Sequence, residues 1–292
     1  MRDKRVKVGE IELQIQDTEQ AREAIIFLHF SGANLMMWQR VIHCFQDQYR
    51  LILVDLRGHG KSDKPASGYH MDDMARDIAG LMQQLKLERA HIVGSSLGAE
   101  VGLSLAANYP ELVSSFVCDG AFPSEFGTYS TWEGTQAEYE QHVAGELEKM
   151  RARPEKVYPS LEALLEAKRV ILEKYGCWNE YVETMERYSA TQMEDEQFTS
   201  AFRKYANLEY MAHYFHYRLE DYYARVQCPL LMVTGAIDDE REMVAIQGLS
   251  ALARQAQIVE VKGWDHPYGW LVDTEAMCQT VLKFLKGMNS KI

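Results

Sequence analysis

The sequence predicts an α/β protein, with a mostly parallel, twisted sheet of eight strands, helices on both faces and an inserted helical cap. Three observations carry this. Short apolar runs alternate with helical patterns from Ala24 onward, the alternation that builds a parallel sheet covered on both sides. A glycine-rich turn at Gly94–Gly98 joins an apolar strand directly to a helix. A long stretch from about Ala121 to Tyr217, rich in Glu, Tyr and Met, then interrupts the alternation before strand patterns return at Pro229–Thr234.

The elements follow in order. Val6–Val8 and Ile11–Ile15 flank Gly9-Glu10 and read as an antiparallel hairpin at one sheet edge. Ala24–Phe30 is a strand, Leu35–Phe45 a helical segment, Arg50–Asp55 a strand and Met71–Leu87 a helix. Ala90–Gly94 is a buried strand, and Leu97, Val101, Leu105 and Ala106 recur at helical spacing until Tyr109-Pro110 stops the helix. Leu112–Cys118 supplies a sixth strand. The interrupting stretch has helical periodicity without a convincing strand, and no flexible linker bounds it, so it should pack as a cap. Pro229–Thr234 and Gln257–Val261 complete the sheet, separated by a helix near Glu240–Ala253 and followed by a last helix over Thr274–Leu285. The expected division is a core of residues 1–120 and 218–292 with a cap of residues 121–217.

Composition narrows the function. With 292 residues, 47% of them hydrophobic, the chain has ample material for a core, and its formal charge of −12 argues against nucleic acid or an anionic membrane as partner. The N-terminus, Met1-Arg2-Asp3-Lys4-Arg5, lacks the apolar run of a signal peptide, and no segment holds the roughly 20 apolar residues of a membrane span, so a cytoplasmic protein is expected. Five cysteines, Cys44, Cys118, Cys177, Cys228 and Cys278, are scattered singly, which points to reduced thiols. The expected partner is a small-molecule substrate, and a homodimer is compatible with the sequence.

Chemistry concentrates at Gly94-Ser95-Ser96-Leu97-Gly98. A Gly-x-Ser-x-Gly turn between strand and helix forces its serine into a sparsely populated backbone conformation and lifts the hydroxyl above the sheet. The same turn aims the Leu97 N–H and the helix N-terminus at the point where charge develops on a substrate carbonyl oxygen. Such a serine needs a base, and the base needs an orienting carboxylate, in the chain order serine, acid, histidine. His266, in Gly263-Trp264-Asp265-His266-Pro267, is the only histidine beyond His216. Asp238 lies just past the Leu230–Thr234 run, in competition with Asp239 and with Asp119 at the end of the sixth strand; Asp265 is read as shaping the histidine loop.

With these residues the sequence resembles the α/β-hydrolase superfamily, of the kind with a helical cap inserted after the sixth strand. His29-Phe30-Ser31-Gly32 resembles the family's oxyanion loop, Asp55 to Ser62 its strand-end turn and Gly235 to Asp238 its acid loop. The resemblance implies Ser96 as nucleophile, His266 as general base and acid, Asp238 as orienting carboxylate, and backbone N–H groups of Leu97 and Ser31 as oxyanion donors. Phe30 replaces the family's usual glycine, which leaves Phe30 or Ser31 as the second donor.

A serine nucleophile argues against epoxide or carbon-halogen chemistry, which in this superfamily uses aspartate at the elbow. It suits acyl transfer to water without cofactor or metal. The expectation is a carboxylesterase-like serine hydrolase acting on an ester or lactone with an apolar acyl part; carbon-carbon hydrolysis of the meta-cleavage type and a non-turnover receptor are the alternatives. Arg57-Gly58-His59-Gly60 lacks the spacing of a phosphate cradle, and His213 with His216 lacks further ligands for a metal, so both are read as structural. Acidic residues outnumber basic ones between Glu133 and Ser200, and any of that charge facing inward would repel anionic substrates.

Overall fold

The computed structural model describes residues 1–289. Eight strands form one sheet: β1 (Arg2–Val8), β2 (Ile11–Asp17), β3 (Ala24–Leu28), β4 (Arg50–Val54), β5 (Ala90–Ser95), β6 (Val113–Asp119), β9 (Leu230–Thr234) and β10 (Ala256–Glu260). Their spatial order is β1-β2-β4-β3-β5-β6-β9-β10. Only the β1–β2 and β2–β4 pairs are antiparallel. The rest are parallel, as helical crossovers require.

The central strands are apolar on both sides because both faces are covered. Ile25, Phe27, Leu51, Leu53 and Val93 join one cluster with Trp38, Phe45 and Leu285, while Ile26, Leu28, Ile52 and Ile92 join the other with Met74, Ile78 and Leu105. The second cluster is closed by α2 (Met71–Gln84) and α3 (Leu97–Asn108). His70 caps α2 by accepting from the Asp72 N–H, and Asp72 and Asp73 sit in the first turn where the helix dipole favours negative charge. On the first cluster's side lie α1 (Ile42–Phe45), preceded by a 3-10 turn over Leu35–Trp38, and α11 (Glu275–Asn289). The Leu35–Phe45 segment is thus two short turns.

Between β6 and β9 come α4 (Gln136–Ala152), α5 (Leu161–Glu173), α6 (Glu180–Ser189), α7 (Lys204–Tyr214) and α8 (Leu219–Tyr223). A small antiparallel hairpin, β7 (Ala190–Gln192) and β8 (Phe198–Ser200), interrupts them. The strandless reading of this region missed that hairpin, because three-residue strands carry too few positions for a period to show. Polar contacts tie the region to the loops and helix beside the sheet: Asn34 Nδ2 donates to Met185 O at 2.8 Å, Tyr188 Oη to Asp55 Oδ2 at 3.0 Å and Tyr210 Oη to Glu100 Oε1 at 3.0 Å. After β9 follow α9 (Glu240–Leu252) and, beyond β10, the short α10 (Gly269–Val272). Among the described residues no helix is long and apolar enough to cross a membrane.

Candidate active site

Ser96 joins β5 to α3 with φ 51 and ψ −118, a conformation that costs a non-glycine residue on the order of 1–3 kcal/mol. Surrounding bonds hold it there. Its N–H donates to Asp119 O at 2.7 Å, and its carbonyl accepts from Ala99 N at 2.7 Å and Glu100 N at 3.0 Å. The crossing is too tight for side chains: a Cβ on Gly98 would lie 2.0 Å from Leu28 O, and one on Gly94 2.3 Å from Gly98 O. The Ser96 side chain makes no capping bond to α3.

His266 stands beside it. A Cβ on Gly120, whose φ is +100, would lie 3.2 Å from His266 Nε2 and 3.3 Å from Ser96 Cα, so only glycine lets the imidazole come this close to the serine backbone. His266 Nδ1 is 3.0 Å from Asp119 Oδ1. Burial pushes the imidazole pKa down, but the Asp119 hydrogen bond and charge outweigh it, and the net shift is upward.

The structure thus brings Asp119, and not the expected Asp238, to His266. Asp238 is exposed, four residues past the end of β9. Asp119 closes β6, the strand beside the elbow strand, and pairs in register with Ser95. Its carboxylate is fixed from several sides: Ser95 Oγ and Trp270 Nε1 donate to Oδ2 at 2.8 and 2.7 Å, and Trp264 Nε1 donates to Oδ1 at 3.0 Å. With 1% of its surface exposed, the group has little water to lose these bonds to. Asp239 instead caps α9 through the Arg241 N–H, and Asp265 accepts from Gly269 N through its carbonyl.

The two backbone amides expected as oxyanion donors follow the ends of β5 and β3. The Leu97 N–H opens α3, where an amide has no acceptor within its helix and the dipole favours an anion. The other strand end is set by His29, fully buried. Its Nε2 accepts from Leu56 N at 3.0 Å, which leaves Nδ1–H to donate to Phe30 O at 2.8 Å. Burial lowers the His29 pKa to about 4 and keeps the ring neutral in that role. Phe30 packs its ring on Tyr268 with centroids 5.3 Å apart, while Ser31 lines the cavity. Of the two candidates, Ser31 is the one on the cavity wall.

A cavity of about 640 Å³ brings Ser31, Ser96, Asp119 and His266 together with the α7 residues Tyr210, Met211 and Tyr214. Among its lining residues are the carboxylates Glu100, Asp119, Glu242 and Asp265, and no lysine or arginine. Sequence reasoning missed the two indoles on Asp119 and the buried Glu100. The available signal was position: Trp264 and Trp270 stand on either side of His266 in the chain, Glu100 follows Ser96 by four residues, and Asp119 ends a strand at the carboxyl side of the sheet, where open α/β folds bind ligands. Elsewhere, His213 stacks edge-on against His70 at 4.9 Å, and no group of three metal-ligating side chains occurs among the described residues.

Comparison with known proteins agrees with this architecture. The family model described as alpha/beta hydrolase fold matches residues 23–266. A 2-(acetamidomethylene)succinate hydrolase of Mesorhizobium japonicum is 40% identical over 114 residues, 39% of this chain and 41% of that protein. A 2-hydroxy-6-oxononadienedioate/2-hydroxy-6-oxononatrienedioate hydrolase of Burkholderia vietnamiensis is 37% identical over 152 residues, 48% of this chain and 52% of the relative. The chain thus spans about half the length, or less, of these relatives. The crystal structure of an E-2-(acetamidomethylene)succinate hydrolase superposes with a TM-score of 0.78 at 25% identity, covering 98% of this chain and 99% of the other. An enol-lactonase from Burkholderia xenovorans LB400 shares the fold at 20% identity, TM-score 0.68, with 97% and 100% covered. The family model spans the strained elbow serine, His266 and most of the mostly parallel sheet: the chain belongs to the alpha/beta hydrolase fold family.

Proposed function

We propose that this hydrolase is a serine hydrolase that cleaves an uncharged carboxylic ester or lactone with a largely apolar acyl part, through an acyl-enzyme. The observation that carries the reading is the His266–Asp119 pair beside the Ser96 elbow on one cavity wall. Ser96 Oγ attacks the substrate carbonyl carbon while its proton passes to His266 Nε2. Asp119 holds Nδ1–H and stabilises the imidazolium that forms. The carbonyl electron pair moves onto oxygen, where the Leu97 and Ser31 N–H groups receive it. Collapse expels the alkoxide, which takes the proton from His266; water then repeats the cycle on the acyl-enzyme and frees the acid.

The cavity's charge supports an uncharged substrate. The relatives' names specify a succinate and a dienedioate, and a second carboxylate needs a cation or a neutral donor to receive it. Here, apart from the acid Glu100, the lining offers the carboxylates Asp119, Glu242 and Asp265 and no lysine or arginine, and a like charge held about 4 Å away costs from about 1 kcal/mol in water to about 4 kcal/mol at a protein-like dielectric.

Incubation with a fluorophosphonate should label wild type at Ser96, and p-nitrophenyl butyrate should be hydrolysed faster than the anionic p-nitrophenyl hemisuccinate by roughly tenfold or more. Ser96→Ala should lose both labelling and turnover. Turnover that survives in that variant would overturn the reading, and a preference for the hemisuccinate would overturn the uncharged-substrate part alone.

A further inference from the structure

Glu100 is a carboxylic acid in an unusual position. It sits in the first turn of α3, where its N–H donates to the Ser96 carbonyl at 3.0 Å, and both residues line the same cavity. It is 2% exposed and lines the cavity that contains Ser96 and His266. One oxygen, Oε1, accepts from Tyr210 Oη at 3.0 Å; the other, Oε2, is buried without a hydrogen-bond partner. A second buried polar atom on the same cavity, Thr234 Oγ1, is also unpartnered. Packing alone does not explain such an arrangement, because an unmet buried polar group costs on the order of 1–3 kcal/mol that an apolar side chain would avoid.

Building on the hydrolase reading, we propose that Glu100 is a substrate-recognition residue, whose carboxyl group donates from Oε2 to a second, uncharged oxygen of the acyl part, a ketone or ether oxygen about one helical turn from the scissile carbonyl. The groups around it keep it an acid. Tyr210, Tyr214 and Tyr217 approach from α7 and the turn after it, Cys118 from β6 and the Glu125 charge from the loop that follows; none is cationic. Burial raises the Glu100 pKa to about 8, against the Tyr210 hydrogen bond and with Glu125 adding to the rise. Since Oε1 is occupied as an acceptor by the tyrosine hydroxyl, the acidic proton belongs on Oε2 and points the recognition toward acceptors. Above its pKa the same oxygen becomes a buried anion with no donor, and recognition of an acceptor fails.

The test is a pair of uncharged esters that differ at one group, p-nitrophenyl 4-oxopentanoate and p-nitrophenyl 4-methylpentanoate, where a methyl replaces the ketone oxygen. Wild type should favour the ketone in kcat/KM by roughly tenfold at pH 7, the size of one satisfied buried hydrogen bond. The preference should decline as pH rises through about 8. Glu100→Leu should bring the ratio between the two esters to about one, while Glu100→Gln, which keeps an N–H donor and the shape, should retain a preference and lose its pH dependence. A merely structural role would slow both esters together and leave their ratio and its pH profile alone. Hydrolysis of both esters by wild type without preference, or a ratio unchanged in Glu100→Leu, would overturn this proposal and leave the hydrolase reading standing. No hydrolysis of either, with Ser96 unlabelled by fluorophosphonate, would overturn both.

Discussion

At the scale of single residues, the catalytic argument rests on which carboxylate touches His266. Asp119 does so at 3.0 Å and is itself held by two indole N–H groups and a serine hydroxyl. Asp119→Asn should therefore reduce kcat by about 10⁴, the loss seen when an orienting acid can no longer hold the right tautomer, whereas Asp238→Asn should stay near wild type; steady-state kinetics on one ester decides it. The pH profile gives a separate check. His266 must be neutral to take the Ser96 proton, and its pKa is raised, so activity should climb through a midpoint above the ordinary histidine value and fall away below it. Titration of the His266 ring by NMR should show the midpoint dropping in Asp119→Asn, since the interaction that raises it is removed.

At the scale of elements, the elbow was legible in the sequence because its requirements are local. A strained serine, a strand before it, a helix after it and small residues at Gly94 and Gly98 all appear within a few positions. The structure adds the reason for Gly98: its Cα sits against the carbonyls of Leu28 and His29, so the missing side chain is space needed by a neighbouring strand. Gly98→Ala should destabilise the fold by about 3 kcal/mol and lower Tm, because backbone on a central strand cannot move aside as a flexible side chain would. The acid was harder to read, because nothing near Asp119 in the chain distinguishes it from Asp238. One ends an apolar strand and the other follows one, and only the order of strands in the sheet places β6 beside β5 and β9 one position farther out. The β7–β8 hairpin was illegible for the opposite reason, being too short to carry a pattern.

At the scale of the whole molecule, the region between β6 and β9, whose α7 residues Tyr210, Met211 and Tyr214 line the cavity, is held to the core by polar contacts. Asn34 is the clearest of them: fully buried, it donates to Met185 O and to Ser189 Oγ at 3.2 Å while its Oδ1 accepts from Met36 N at 2.9 Å. Asn34→Ala leaves the Met185 carbonyl and the Met36 amide without this partner, and should cost about 1–3 kcal/mol in chemical denaturation. Acidic side chains reach the cavity too, with Glu242 partly buried and Asp265 exposed on its lining, so part of the chain's negative charge borders the site.

The sequence by itself determined the sheet, its covering helices, the elbow serine and the histidine that follows the last strand, because each of these is written in short-range periodicity, glycine placement or chain order. Tertiary structure alone decided which carboxylate meets His266, which indoles hold it and that a buried glutamic acid shares the cavity. Those depend on side chains more than a hundred residues apart meeting at one sheet edge, and no local pattern encodes which strand ends will lie together.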